Sequence, residues 1–131
     1  MANKKILVVD DEVDFVEIMK LRLESDNYDV IVANNGKDAL EMVKKDKPDA
    51  VLLDIMMPEI DGLTVLKKIR ELDQKLPVFM ITAFSNEERV RIASILNASG
   101  FIVKSQQDIA KEIKNITSAI DIADKYRGKR G

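Results

Sequence analysis

The sequence predicts an α/β domain in which five parallel strands form one sheet covered by helices on both faces. Three observations predict it. Short apolar runs rich in Val, Ile and Leu are continuous rather than alternating, as in strands buried on both faces. Helix-like segments separate these runs from one end of the chain to the other, the alternation that builds parallel βαβ units. The runs also end in chemistry-bearing side chains, which an open parallel sheet gathers along one edge.

The first run, Lys5-Ile6-Leu7-Val8-Val9, leads into Asp10-Asp11-Glu12. Phe15, Val16, Met19 and Leu23 then share one arc of a helix, with Glu17, Lys20 and Glu24 elsewhere. Ser25-Asp26-Asn27 breaks it, and Tyr28 to Ala33 reads as the second strand. Asn34-Asn35-Gly36 supplies turn and capping chemistry before a short helix carrying Ala39, Leu40 and Val43. Ala50-Val51-Leu52-Leu53-Asp54 is the third strand, bounded by Lys47-Pro48-Asp49 before and Pro58 after.

The loop Pro58-Glu59-Ile60-Asp61-Gly62 follows. Gly62 either takes a backbone conformation closed to other residues or gives the next helix room to start. That helix presents Val65, Leu66, Ile69 and Leu72. Pro77 to Thr82 is the fourth strand, and Ala83 follows it. Ser85-Asn86-Glu87-Glu88 begins a helix with acids suited to its dipole. Ile92, Ile95 and Leu96 form its apolar face, and Asn97-Ala98-Ser99-Gly100 ends it. A short fifth strand, Phe101-Ile102-Val103, delivers Lys104. Ile109, Ile113, Ile116, Ile120 and Ala123 make a narrow core stripe on the last helix. Residues 1–124 are expected to form the domain, with 125–131 a basic, glycine-ended tail or linker stub.

Composition excludes several kinds of function. At 131 residues the chain is one domain with room for a single core. The formal charge of −2, from 21 basic and 23 acidic residues, gives no basic field for nucleic acid. No apolar run approaches membrane-spanning length, and Met1 to Lys5 leads into a strand rather than a signal peptide, so a cytoplasmic location is expected. The absence of cysteine excludes disulfides, thiolate catalysis and cysteine-bound metals. The absence of histidine excludes a Ser-His-Asp triad, imidazole acid–base chemistry and histidine-bound zinc. Reactivity must come from carboxylate, hydroxyl or amine.

Reading only the C-terminal ends of the strands brings together Asp10, Asp11, Asp54, Thr82 and Lys104. Asp54 read singly is as well explained as a strand terminator, and Asp10-Asp11-Glu12 as a cap and first-turn acids for the next helix. As neighbours at one edge the acids repel, each like-charged pair at about 4 Å costing about 4 kcal/mol at an effective dielectric near 20. A hard divalent cation relieves that, and carboxylates with few other ligands suit magnesium. The assembly suits phosphoryl transfer to Asp54, since a carboxylate is a recognised covalent acceptor of phosphate. The cation at Asp10 and Asp11 would neutralise the transferring group, Lys104 would clamp one of its oxygens, and Thr82 would donate to another.

These segments resemble the receiver domain of two-component response regulators, from Ile6 to about Ala123. The residues that carry the resemblance are Ile6 to Glu12, Ala33 to Leu40, Leu53 to Pro58, Asp61-Gly62, Ile81-Thr82-Ala83 and Val103-Lys104. The resemblance implies a flavodoxin-like sheet of order 2-1-3-4-5, the order for which receiver proteins are the standing example. It implies that Asp54 accepts phosphate from a phosphohistidine on a sensor kinase or a histidine phosphotransfer protein. Asp10, Asp11, Asp54 and the backbone carbonyl of Met56 would hold magnesium, or manganese in its place. Thr82 and Lys104 would be the switch hydroxyl and the phosphate-binding lysine. Phe101 would match the aromatic that turns inward on activation, or serve as a plain strand residue, and Glu12, Pro58, Gly62 and Ala83 would support the site. The implied output is a changed surface around the fourth helix, fifth strand and last helix, read by an effector protein or an attached output domain. Neither membrane nor direct nucleic-acid binding is expected, nor turnover of a separate substrate.

One departure stands out. The family usually has proline after the lysine, in a cis peptide, where this chain has Ser105. A non-proline cis bond costs about 2.5–4 kcal/mol, so a trans bond or a rearranged loop is expected. An aspartate-nucleophile phosphohydrolase is the alternative, but such enzymes pair the nucleophile with an acid two residues on, where this chain has Met56. A nucleotide-binding module would need a G-x-G-x-x-G or P-loop pattern, and neither is present. A receiver cut from a longer regulator is a further reading of the same residues.

Overall fold

The computed structural model describes residues 3–57, 60–82, 87–104 and 109–128, and no side chain of 109, 110, 112 or 123–128. Five strands, β1 (Lys5–Val9), β2 (Asp29–Ala33), β3 (Ala50–Asp54), β4 (Val78–Thr82) and β5 (Gly100–Val103), form one sheet in the order β2-β1-β3-β4-β5. Every neighbouring pair is parallel. Helices α1 (Val13–Ser25), α2 (Gly36–Asp46), α3 (Gly62–Leu72), α4 (Glu87–Ile95) and α5 (Ile109–Gly128) complete the alternation.

Successive side chains of a strand point to opposite faces, so a strand covered on both sides must be apolar throughout. Leu7, Val9, Val51, Leu53, Val78 and Met80 face one core with α2, α3 and Ala93 of α4. Ile6, Val8, Ala50, Leu52, Phe79 and Ile81 face the other with α1 and α5. All five residues of β3 and of β4 are buried, which accounts for their unbroken apolar runs. The register sets Val9 beside Leu53, Asp54 beside Ile81 and Thr82 beside Val103, so these strands finish at one level.

Among the described side chains, which leave out those of Ile109 and Ala123, the helices follow their predicted faces with two exceptions. Phe15, Val16, Met19 and Leu23 are buried on α1, and Ile113, Ile116 and Ile120 on α5. Leu72, expected in the core, is 50% exposed at the last residue of α3, where Val65, Leu66 and Ile69 are the buried positions. Ile95, expected on the apolar face of α4, is 72% exposed, and Ala93 is the buried residue. Two residues along a helix is about 200° of rotation, so burying Ala93 turns Ile95 to solvent. Helix α5 runs to Gly128, so the backbone of 125–128 is helical.

Tyr28 lies just before β2, buried, and its hydroxyl donates to Asp121 Oδ1 at 3.1 Å on α5. Burial and the bond to Asp121 push its phenol up to about 12. No described glycine has a positive φ, so Gly62 is not required for a left-handed turn. It is required for close approach: a Cβ there would collide with the backbone carbonyl of Asp54 and lie 2.8 Å from Ile55 Cα. The expectations for Pro58, Ala83, Ser85, Asn86 and the Lys104–Ser105 bond fall outside the described residues.

Candidate functional site

β1 and β3 end side by side, and each presents a carboxylate just where its backbone leaves the sheet. Asp10 follows Val9 and is wholly buried; its Oδ1 accepts the backbone N–H of Glu12 at 3.0 Å. Asp54 is the last residue of β3 and is 4% exposed; its Oδ1 accepts the N–H of Met56 at 3.1 Å. The Ile55 N–H donates to the Ile81 carbonyl at 3.0 Å, and the Gly62 N–H returns to the Ile55 carbonyl at 2.8 Å. The chain leaving β3 is thus tied to the sheet on one side and to the start of α3 on the other. Asp61 caps that helix, accepting the Thr64 N–H at 3.0 Å, and sits 3.9 Å from Arg89 on α4.

Asp11 is exposed and joins the pair: one oxygen from each of Asp10, Asp11 and Asp54 lies within 4.8 Å of the other two. Thr82 is buried at the end of β4, and its carbonyl accepts the Lys104 N–H at 2.7 Å, which fixes where β5 releases the lysine. The Lys104 ammonium reaches Asp10 Oδ2 and Glu12 Oε1 at 2.8 Å each, and Asp54 Oδ2 at 3.5 Å. It also lies 4.7 Å from the centroid of the Phe15 ring.

Burial, followed by the Asp10 charge, pushes the Asp54 carboxyl up to about 7, although Lys104 and the Met56 N–H pull it back. Burial lowers the Lys104 ammonium, but its bonds to Asp10 and Glu12 and the charges of Asp10 and Asp54 outweigh that and raise it. Three carboxylates, those of Asp10, Glu12 and Asp54, thus meet one ammonium, and Asp11 joins Asp10 and Asp54 in the oxygen cluster. The donors are all hard oxygens and the excess charge is negative, so the cluster fits a magnesium-like cation.

Asp10, Asp11, Asp54, Thr82 and Lys104, singled out from sequence, therefore share one edge. Met56 lies beside them and is 59% exposed. Phe101 sits on β5 with 37% of its surface exposed. Sequence reasoning placed Glu12 in a supporting loop and Phe15 in the core, and missed that both touch Lys104. Glu12 and Lys104 are 92 residues apart, and no local pattern signals such a pair. Arg89 was missed for the same reason.

Fold and edge together define a doubly wound α/β domain whose chemistry-bearing side chains gather where the parallel strands end. The family model of the response regulator receiver domain matches residues 6–116, and the chain belongs to that family. It is 37% identical over 123 residues to the alkaline phosphatase synthesis transcriptional regulatory protein PhoP of Bacillus subtilis, covering 92% of this chain and 51% of that one. The chain spans about half the length of the curated relatives it matches. Among solved structures, the chemotaxis protein CheY4 of Vibrio cholerae is 25% identical with a TM-score of 0.83, covering 90% of this chain and 99% of that one. NtrX of Brucella abortus is 30% identical with a TM-score of 0.86, covering 96% of this chain but 29% of that one. The protein is thus a response regulator receiver domain of five parallel strands and five helices.

Proposed function

We propose that Asp54 is the phospho-acceptor and that the domain passes a phosphorylation signal to its own surface. The observation that carries this is the convergence of Asp10, Asp11 and Asp54 within 4.8 Å, with the Lys104 ammonium among them. An Asp54 carboxylate oxygen attacks the phosphorus of a phosphohistidine on a sensor kinase or phosphotransfer protein. The new P–O bond forms as the P–N bond breaks, and the freed imidazole takes up a proton. Asp10, Asp11, Asp54 and the Met56 carbonyl would hold magnesium, or manganese, which when bound neutralises charge on the phosphoryl oxygens. Lys104 supplies a further positive charge, and the Thr82 hydroxyl donates a hydrogen bond.

Hydrogen bonds to charged groups are worth about 1.5–3 kcal/mol each. Moving an equilibrium from 1:99 to 99:1 takes about 5.5 kcal/mol. One contact falls short, whereas Thr82 and Lys104 together come close. The surface they reposition is that of α4, β5 and α5, where Ile95, Phe101 and Val103 are exposed. An effector protein or an attached output domain would read it, and no separate substrate is turned over. No described helix is long and apolar enough to cross a membrane, and we place the domain in the cytoplasm with its kinase.

Incubation with a small acyl phosphate and magnesium tests the assignment. The parent chain should gain one phosphate by mass spectrometry, and Asp54→Asn should gain none. Uptake by Asp54→Asn would refute the assignment.

A further inference from the structure

Glu12 stands at the N-cap position of α1 yet makes no capping hydrogen bond there. Glutamate is a poor N-cap residue, and the preceding turn is already satisfied by Asp10, whose Oδ1 accepts the Glu12 N–H at 3.0 Å. The Glu12 carboxylate reaches the Lys104 ammonium instead, at 2.8 Å. Asp10, wholly buried, holds the same ammonium at the same distance. Asp10 is therefore wanted twice, as the partner of Lys104 and as a member of the oxygen cluster with Asp11 and Asp54.

Two cations cannot share one carboxylate in a buried site without repelling each other. Lys104 must then keep a partner that the cluster does not need. Glu12 is that partner: its side chain is 62% exposed, it lies outside the cluster, and it reaches the Lys104 ammonium at 2.8 Å. The Phe15 ring, 4.7 Å from the ammonium, offers a second surface on which the lysine can rest.

We propose that Glu12 is a positioning residue for Lys104, keeping the ammonium at the mouth of the site when Asp10 is given over to a divalent cation. The inference rests on the metal-binding reading of Asp10, Asp11 and Asp54. It makes Glu12 more important to Lys104 in the metal-loaded protein than in the metal-free one. Removing Glu12 should therefore weaken metal binding, and it should do so through Lys104.

Free Mn2+ followed by electron paramagnetic resonance during titration of the intact chain tests this. The four proteins needed are the parent, Glu12→Gln, Lys104→Met and the double variant, each checked for folding by circular dichroism. Glu12→Gln should weaken Mn2+ binding about fivefold in the parent, and by less than about twofold when Lys104 is already methionine. Equal weakening in both backgrounds would mean that Glu12 acts only as a distant charge, and would overturn the proposal. So would no weakening in either. Failure of the parent itself to bind Mn2+ would overturn the metal reading together with this inference, which separates the two failures.

Discussion

Asp54 carries a conflict that its neighbours cannot fully resolve. Its carboxyl is buried beside Asp10 and is pushed up to about 7 from the ordinary 3.8, chiefly because burial disfavours its charge. Between those pH values the folded chain binds a proton that the unfolded chain has lost. The Asp54 contribution to stability is therefore fully present below about pH 4 and is lost as pH rises through about 7. Asp54→Asn should stabilise the metal-free protein by about 2 kcal/mol at pH 8 and by almost nothing at pH 4, as read by urea unfolding. Magnesium at pH 8 should stabilise the parent and leave Asp54→Asn nearly unchanged. Thr82 is predicted to act after phosphorylation rather than in it. Thr82→Ala should take up phosphate at close to the parent rate but show smaller amide shifts in α4 and β5 when phosphorylated.

Among the elements, α4 is the least embedded of the described helices. Ala93 is its one buried residue, and Ile95 faces solvent. Its C-terminal end is nevertheless well held. Arg70 donates from Nε and Nη2 to the Asn97 carbonyl at 3.0 and 2.8 Å, and from Nη1 to the Asp73 and Leu76 carbonyls at 3.1 and 2.7 Å. Asn97 takes a positive φ of 65° there, and the Ser99 N–H bonds the Val78 carbonyl at 2.7 Å. One guanidinium thus joins the end of α3, the approach to β4 and the end of α4. Arg70→Met keeps much of the stem but strands those carbonyls, and should cost about 1–3 kcal/mol in urea unfolding. Hydrogen exchange should quicken at the C-terminal end of α4 before it does in β4. Ile95 also shows why helix faces were less legible than strands. The sequence offered Ile92, Ile95 and Leu96 as equals, and only packing against α3 chose the small Ala93 for the closest approach.

At the scale of the whole molecule, one sheet separates two cores, and each core keeps one face of the strands dry. Leu66 on α3 and Ile113 on α5 lie in opposite cores and are each all but fully buried. Leu66→Ala and Ile113→Ala should each cost about 2–5 kcal/mol. The losses should add in the double variant, because the two sites share no partner. Fluorescence-independent probes such as far-UV circular dichroism and amide exchange should report a single transition for each variant.

The sequence by itself determined the alternation of strands and helices and which residues end each strand. Both follow from local rules, since a doubly covered strand must be apolar and a chain leaving the sheet can carry polar groups. Asp10, Asp11, Asp54, Thr82 and Lys104 were legible for that reason. Tertiary structure alone decided that Glu12 and Phe15 meet Lys104, that Arg70 clasps the end of α4, and that Gly62 is small because it meets the backbone at Asp54. Those contacts join residues far apart in the chain or across a turn, so their physical cause lies in how elements pack and leaves no periodic trace in the order of amino acids.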